Sequence, residues 1–184
     1  MEKLIRCLTE LEKLKTVERG LNVGDRKEST AEHTWSCMLL ADILIDFIDE
    51  PLNRLKIFEY LLYHDLVEVY AGDAKFNKPG EVKLKHEKEI ASMKMITSII
   101  PNPKRYEHII GEYENRESRE AQFAKAIDCL DTCVRNLNDD KKSKEDGFTE
   151  ELIRTKYKPH VSKFNFIENL FEILIARLKL QNKL

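Results

Sequence analysis

The chain has 184 residues, 31 of them basic and 33 acidic, for a formal net charge of -2. That length suits one domain spanning 1–184, and the near balance of charge leaves no footprint for non-specific nucleic-acid binding. No apolar run approaches the roughly 18 residues a membrane span needs, and the N-terminus lacks the apolar core of a signal peptide.

A charged fraction of 35% with six Gly and five Pro fits helices with solvated outer faces. The four cysteines, Cys7, Cys37, Cys129 and Cys133, sit in apolar helical patterns without disulfide or zinc-finger spacing. Free core thiols in a reduced, cytoplasmic protein are therefore expected.

Leu4, Leu8, Leu11 and Leu14 recur at helical spacing and predict an amphipathic helix over residues 1–15. Residues 16–30, with Gly20, Asn22 and Gly24, break that pattern and read as a loop carrying Arg19, Arg26 and Glu28. Ser29 or Thr30 can cap the next helix, which runs through Trp35, Leu39 and Leu44 to about Asp49. His33 falls in its first turn.

A third helix begins near Asn53 and carries Leu55, Phe58, Leu61 and Leu62 into the segment LLYHDLVEVYAGD at 61–73. Its second half is apolar on most sides, as expected of a central helix. His64, Asp65, Glu68 and Asp73 fall within ten positions there. On a continuous helix Glu68 lies one turn beyond His64 on the same face. A loop with Lys75, Pro79 and Gly80 follows, and Lys75 is a candidate phosphate contact.

Helices over 81–100 and 104–116 come next. Ser118 can cap another, whose Phe123, Ala126, Ile127, Leu130 and Val134 line one side with Asp128 among them. Residues 138–147 are almost wholly polar and read as an exposed loop. Thr149 can cap a short helix ending before Pro159, and a last amphipathic helix spans about 161–183. No β-alternation persists, so the fold class is all-α. His86, His108 and His160 read as surface or capping residues.

Chemistry points to His33, the His64-Asp65 pair and Asp128, on three predicted helices. A buried carboxylate is costly unless it is paired or bound to a cation, and for Asp128 a pair with Lys125 or Arg135 is the plain alternative. Two His and two Asp on converging helices supply the mixed N/O donors that suit Mn²⁺, Fe²⁺, Co²⁺ or Zn²⁺ better than Ca²⁺.

Three segments carry a family likeness: RKESTAEH at 26–33, HDLVEVYAGD at 64–73, and AKAID at 124–128. In this order the chain resembles the HD-domain metal-dependent phosphohydrolases, in the branch of bacterial 5'-deoxynucleotidases and their eukaryotic HD-domain-containing relatives. The likeness covers about residues 14–135. It implies a compact helical HD-domain fold, a homodimer, and one divalent metal (Mn, Co, Fe, Zn or Mg) on His33, His64, Asp65 and Asp128. It also implies a turnover role for Glu68, a place in the site for Asp73, and contact of Arg19 with the substrate phosphate. Arg26 is the alternative phosphate contact.

One departure stands out, because members of that branch often carry a Trp after the Arg, where this chain has Gly20-Leu21. The expected reaction is hydrolysis of deoxynucleoside 5'-monophosphates. The competing readings are hydrolysis of another nucleotide or small phosphoester, and a non-catalytic protein that binds nucleotide and metal as a signal.

Overall fold

A computed structural model describes residues 1–73, 81–139 and 147–184, with only the backbone described over 81–85. Lys75, the loop around it and the charge run 141–146 lie outside the described residues. The chain begins with α1 (Glu2–Leu11), which tightens into a 3-10 turn over Glu12–Thr16. After a hairpin come α2 (Thr30–Leu44), α3 (Arg54–Tyr63) and the short α4 (Glu68–Ala71). Then follow α5 (Glu81–Ile99), α6 (Pro103–Asn115), α7 (Arg119–Asn138), α8 (Glu150–Val161) and α9 (Asn165–Leu180). The all-α expectation holds but for that hairpin, and none of the described helices is long and apolar enough to cross a membrane.

The hairpin corrects the sequence reading. Residues expected to be a loop form antiparallel strands β1 (Glu18–Val23) and β2 (Arg26–Ser29), in register Asn22↔Lys27 and Val23↔Arg26 with an irregularity between Glu18 and Asn22. Gly24 makes the turn at φ 59°, where a Cβ is disfavoured. Apolar alternation misses these strands because several side chains they bury are polar: Asn22, Glu28 and Ser29. Asn22 fixes the hairpin to the end of α7, since its backbone N–H (2.9 Å) and side-chain amide (2.9 and 3.1 Å) donate to the Asp139 carboxylate.

Ser29 ends β2 and starts α2. Its hydroxyl accepts from the Glu32 N–H while the Glu32 carboxylate accepts from the Ser29 N–H, a reciprocal cap that satisfies two donors at once. The cap sets where α2 begins, and so places His33 one turn inside it.

The centre of the molecule is α7, not α3. It packs on α2, α3, α6, α8, α9 and β1. Ala121, Phe123, Ala124, Ala126, Ile127, Leu130 and Cys133 are all buried along it. By contrast Leu55 on α3 is 71% exposed, and Leu62 also reaches the surface. A second apolar cluster gathers Cys7, Leu14, Leu66, Ile96, Tyr106 and Ile110 under α4, and Tyr63 packs against both clusters. The four cysteines are buried and free, as expected. Pro159 lies within α8 rather than after it, two residues before its end, and the last helix starts only at Asn165.

Removing the cap tests its role. Ser29→Ala is expected to lower stability by about 1 kcal/mol, measured by chemical denaturation, without changing helical content. Arg26 and then the Ser29 N–H hold the Glu32 carboxyl down at about 2, from an ordinary 4.5. A depressed carboxyl stabilises the fold above its unfolded value, so this contribution is fully present above pH 4.5 and fades as pH falls toward 2. An unchanged denaturation midpoint in Ser29→Ala would show that the cap is not what sets the start of α2.

Candidate active site

His33 projects from the first turn of α2 into the interior and is fully buried. Its Nδ1 lies 2.7 Å from Asp131 Oδ2, and Asp131 also accepts from the Ser36 hydroxyl. A carboxylate so placed accepts the Nδ1 proton, which makes Nε2 the nitrogen that a metal or a second proton would take. His64, at the end of α3, repeats the arrangement, with Nδ1 2.7 Å from the Leu61 carbonyl oxygen. A carbonyl only accepts, so Nδ1 carries the proton here too. The two Nε2 atoms face each other at 3.4 Å.

Carboxylates close on the same point. Asp128 Oδ1 lies 3.1 Å from His33 Nε2. Asp65 Oδ2 lies 3.2 Å from His64 Nε2 and 3.7 Å from His33 Nε2. These four side chains converge on one point that draws positive charge: burial and Arg19 oppose a proton on His33, yet Cys37, Asp128 and Asp131 raise its proton affinity well above the ordinary value. The donor chemistry and its spacing therefore fit a divalent metal with imidazole and carboxylate ligands.

Cys37 lies one turn after His33, and its sulfur is within 4.8 Å of the donor atoms of His33, His64 and Asp128. It is a poor fourth donor. Its Sγ sits 3.5 Å from Nε2 and 3.7 Å from Nδ1, so it lies against the ring rather than in front of Nε2. Burial pushes its thiol up to about 12, so it stays protonated.

The backbone explains how adjacent residues 64 and 65 both reach the cavity. On a regular helix they would point about 100° apart. Instead α3 stops at Tyr63, and the chain tightens into i→i+3 bonds, Leu66 N–H to Tyr63 O at 3.1 Å and Glu68 N–H to Asp65 O at 3.0 Å. Glu68 thus opens a new short helix and does not continue the His64 face of α3. Gly72 ends that helix at φ 72°.

Around the four donors lies a charged shell. Arg19, on β1, donates from NH1 to Asp65 Oδ2 at 3.0 Å, and its Nε is 3.4 Å from the buried Glu28 carboxylate. Although burial opposes its charge, Asp65, Asp73, Glu68 and Asp128 keep it protonated. Glu68 is 5% exposed, and its Oε2 accepts from the Thr30 hydroxyl at 2.7 Å. Burial, with the charges of Asp65 and Asp73, pushes its carboxyl up to about 8 against the pull of Arg19. Burial raises the Asp65 carboxyl, but His64, Arg19 and His33 outweigh it and hold Asp65 below the usual range. Asp128 is held well below that range too, where Lys125, His33 and His64 outweigh its burial.

The structure thus brings His33, His64, Asp65, Asp128, Glu68 and Arg19 together, and the charge of Asp73 acts on Arg19 and Glu68. Arg26 is elsewhere: it is exposed and paired with Glu32 on the outer side of the first turn of α2. Lys125 does pair with Asp128 (Nζ to Oδ2, 2.7 Å), yet Asp128 also joins the cluster, so the two sequence readings of Asp128 hold together. Tyr113 donates to the same Oδ2 at 3.3 Å. Sequence reasoning passed over Asp131, Thr30 and Tyr113. Asp131 and Lys125 carried a signal, since each lies three residues from Asp128 and so on its face of α7.

Comparison with known proteins agrees with this geometry. Residues 11–167 match the HD domain family. The mouse (Mus musculus) protein named 5'-deoxynucleotidase HDDC2 is 33% identical over 133 residues, covering 68% of this chain and 64% of that protein. The human (Homo sapiens) HDDC2 is 34% identical over 107 residues, covering 56% of this chain and 50% of its own length. The chain thus spans between half and two thirds of the curated relatives it matches. A crystal structure titled as a predicted metal-dependent phosphohydrolase from Magnetospirillum magnetotacticum superposes with a TM-score of 0.87 at 26% identity, over 100% of this chain and 94% of that one. An HD-domain phosphohydrolase from Listeria innocua shares the fold, with a TM-score of 0.66 at 19% identity over 95% and 89% of the two chains. The chain belongs to the HD-domain family of metal-dependent phosphohydrolases.

Proposed function

We propose that the chain is a 5'-deoxynucleotidase that hydrolyses deoxynucleoside 5'-monophosphates to deoxynucleoside and phosphate. His33, His64, Asp65 and Asp128 hold one divalent ion, and Arg19, Glu68 and Asp73 complete the site. The observation that carries the chemistry is the convergence of imidazole Nε2 atoms and carboxylate oxygens beside a buried arginine. The substrate assignment is supported by the likeness to the HDDC2 deoxynucleotidases.

A divalent ion bound there polarises the phosphoryl group and lowers the pKa of a bound water. Arg19, held between Asp65 and Glu28, neutralises phosphate oxygens as a fixed, permanently charged fork. Thr30 anchors Glu68 through Oε2 and leaves Oε1 to hold and orient the attacking water. Hydrolysis forms a bond from that water oxygen to phosphorus and breaks the bond from phosphorus to the 5' oxygen. Glu68 must be ionised to take the water proton, which added positive charge offsetting Asp65 and Asp73 would allow; it then returns that proton to the leaving 5' oxygen. Asp131 and the Leu61 carbonyl keep both imidazoles in the tautomer that presents Nε2.

One feature favours a second reading of the substrate. Beside Arg19 stands Gly20, without a side chain, where the 5'-deoxynucleotidase branch often carries a Trp. The same chemistry on ribonucleoside 5'-monophosphates is the second reading.

Phosphate release from a panel of nucleotides with Mn²⁺, Co²⁺ or Mg²⁺ tests the reading. Deoxynucleoside 5'-monophosphates should be cleaved and 3'-monophosphates should not. Equal release from the two isomers would remove the assignment, and faster release from ribonucleotides would select the second reading. Glu68→Gln should keep its metal and melting temperature while kcat falls about 10²–10⁴-fold. Near-normal kcat would make Glu68 structural, and metal loss would make it a ligand. Asp131→Asn should weaken metal binding about 10–100-fold with the fold retained. Unchanged affinity would show that Asp131 does not set the His33 tautomer.

A further inference from the structure

Away from the metal-type cluster, a cavity of about 240 Å³ opens between the start of α7 and the α8–α9 turn. Its walls are Arg116, Gln122, Pro159, His160 and Lys163, so two of five lining residues are cationic, one is an imidazole and none is a carboxylate. Arg116 spends its Nε on the Glu114 backbone carbonyl at 3.0 Å. Among the described residues neither Arg116, His160 nor Lys163 has a carboxylate partner.

Nearby cations are treated differently. Arg119 is paired with Glu50, Arg154 with Glu172 at 2.8 Å, and Lys158 with Glu172 at 3.0 Å. The fold thus neutralises the surrounding surface and leaves positive charge gathered in one concave place. Burial lowers the proton affinity of His160, and Lys125, Arg116 and Lys163 push the same way against the weaker pull of Asp128. The local potential is positive. The N-terminus of α9, whose N-cap Phe164 offers no side-chain acceptor, begins just past Lys163 and adds partial positive charge to this end.

We propose that this cavity is a second binding site, separate from the reaction centre, for a small phosphate-bearing anion. Charge chooses an anion, and the mix of guanidinium, ammonium and imidazole donors suits the several oxygens of a phosphate. Size selects a small one: the volume is below the roughly 300–1,000 Å³ of sites that engulf a whole drug-sized ligand. No Phe, Tyr or Trp lines it. Gln122 on its wall is six residues before Asp128, roughly 9 Å along α7, and the cavity lining includes none of His33, His64, Asp65, Asp128, Glu68 or Arg19. The phosphate can be free inorganic phosphate or the esterified phosphate of a nucleotide, and the site would recognise both through the same oxygens.

The test follows the imidazole signals of histidine-labelled holoenzyme, with its metal, at fixed pH. Inorganic phosphate is added in one arm and a non-hydrolysable deoxynucleoside 5'-phosphonate in the other. A saturable shift of His160 is expected, with a midpoint distinct from that of His33 and His64. Lys163→Gln, a change at an exposed residue, should weaken it about tenfold while melting temperature and turnover at low phosphate stay unchanged. Arg116→Gln, on another wall, provides the second removal. A shift with the phosphonate alone assigns the site to esterified phosphate, and a shift with both assigns it to the phosphate group itself. The proposal is overturned if His160 does not respond in either arm, responds equally in both variants, or moves only with the midpoint of His33 and His64. None of these readouts depends on which phosphoester the reaction centre cleaves.

Discussion

The structure depends on one electrostatic constraint, two imidazoles turned so that their Nε2 atoms face each other at 3.4 Å. Each ring is fixed by what its other nitrogen touches, the Asp131 carboxylate for His33 and the Leu61 carbonyl for His64. Asp65 and Asp128 add oxygens to the same point. Buried carboxylates are costly unless positive charge meets them, and a chain that gathers them must gain elsewhere. Near them stand the carboxyl groups of Asp131, Glu28, Glu68 and Asp73, against the cations Arg19 and Lys125. Acid outnumbers base, so the site is made for added positive charge, and a bound cation would be the largest local charge in it.

The fold serves that constraint from several directions. A cap at Ser29 fixes the phase of α2 and so the direction of His33. The tightened turn after Tyr63 lets neighbouring His64 and Asp65 point into one cavity. Buried at the centre, α7 supplies Asp128 and, three residues on, the Asp131 that steers His33. Its end clamps Asn22 through Asp139, which holds in place the strand bearing Arg19. Packing density makes this arrangement precise, because side chains wedged into a close-packed interior have few alternative rotamers.

Much of this was legible in the sequence, for physical reasons. Apolar periodicity showed the helices, and His33, His64, Asp65 and Asp128 stood out because polar groups on apolar faces demand an explanation. The hairpin was hidden because Asn22, Glu28 and Ser29 are buried where a strand pattern looks for apolar side chains. The break at His64 was hidden because local propensity favours a continuous helix there, whereas tertiary demands impose i→i+3 turns. Pro159 suggested a stop and instead lies inside α8, near its end. Arg26 looked equivalent to Arg19 in sequence, and only the strand pairing separates a buried arginine from one held by Glu32 at the surface.

The account stands on the donors around His33 and His64 being a metal site, and the most direct measurement is bound-metal content in the wild-type chain and in Asp128→Ala, with helical content recorded on the same samples. About one divalent ion per wild-type chain is predicted, with most of it lost in the variant while the helices remain, because Asp128 supplies one of the converging oxygens. Full metal occupancy in a folded Asp128→Ala chain would contradict the account.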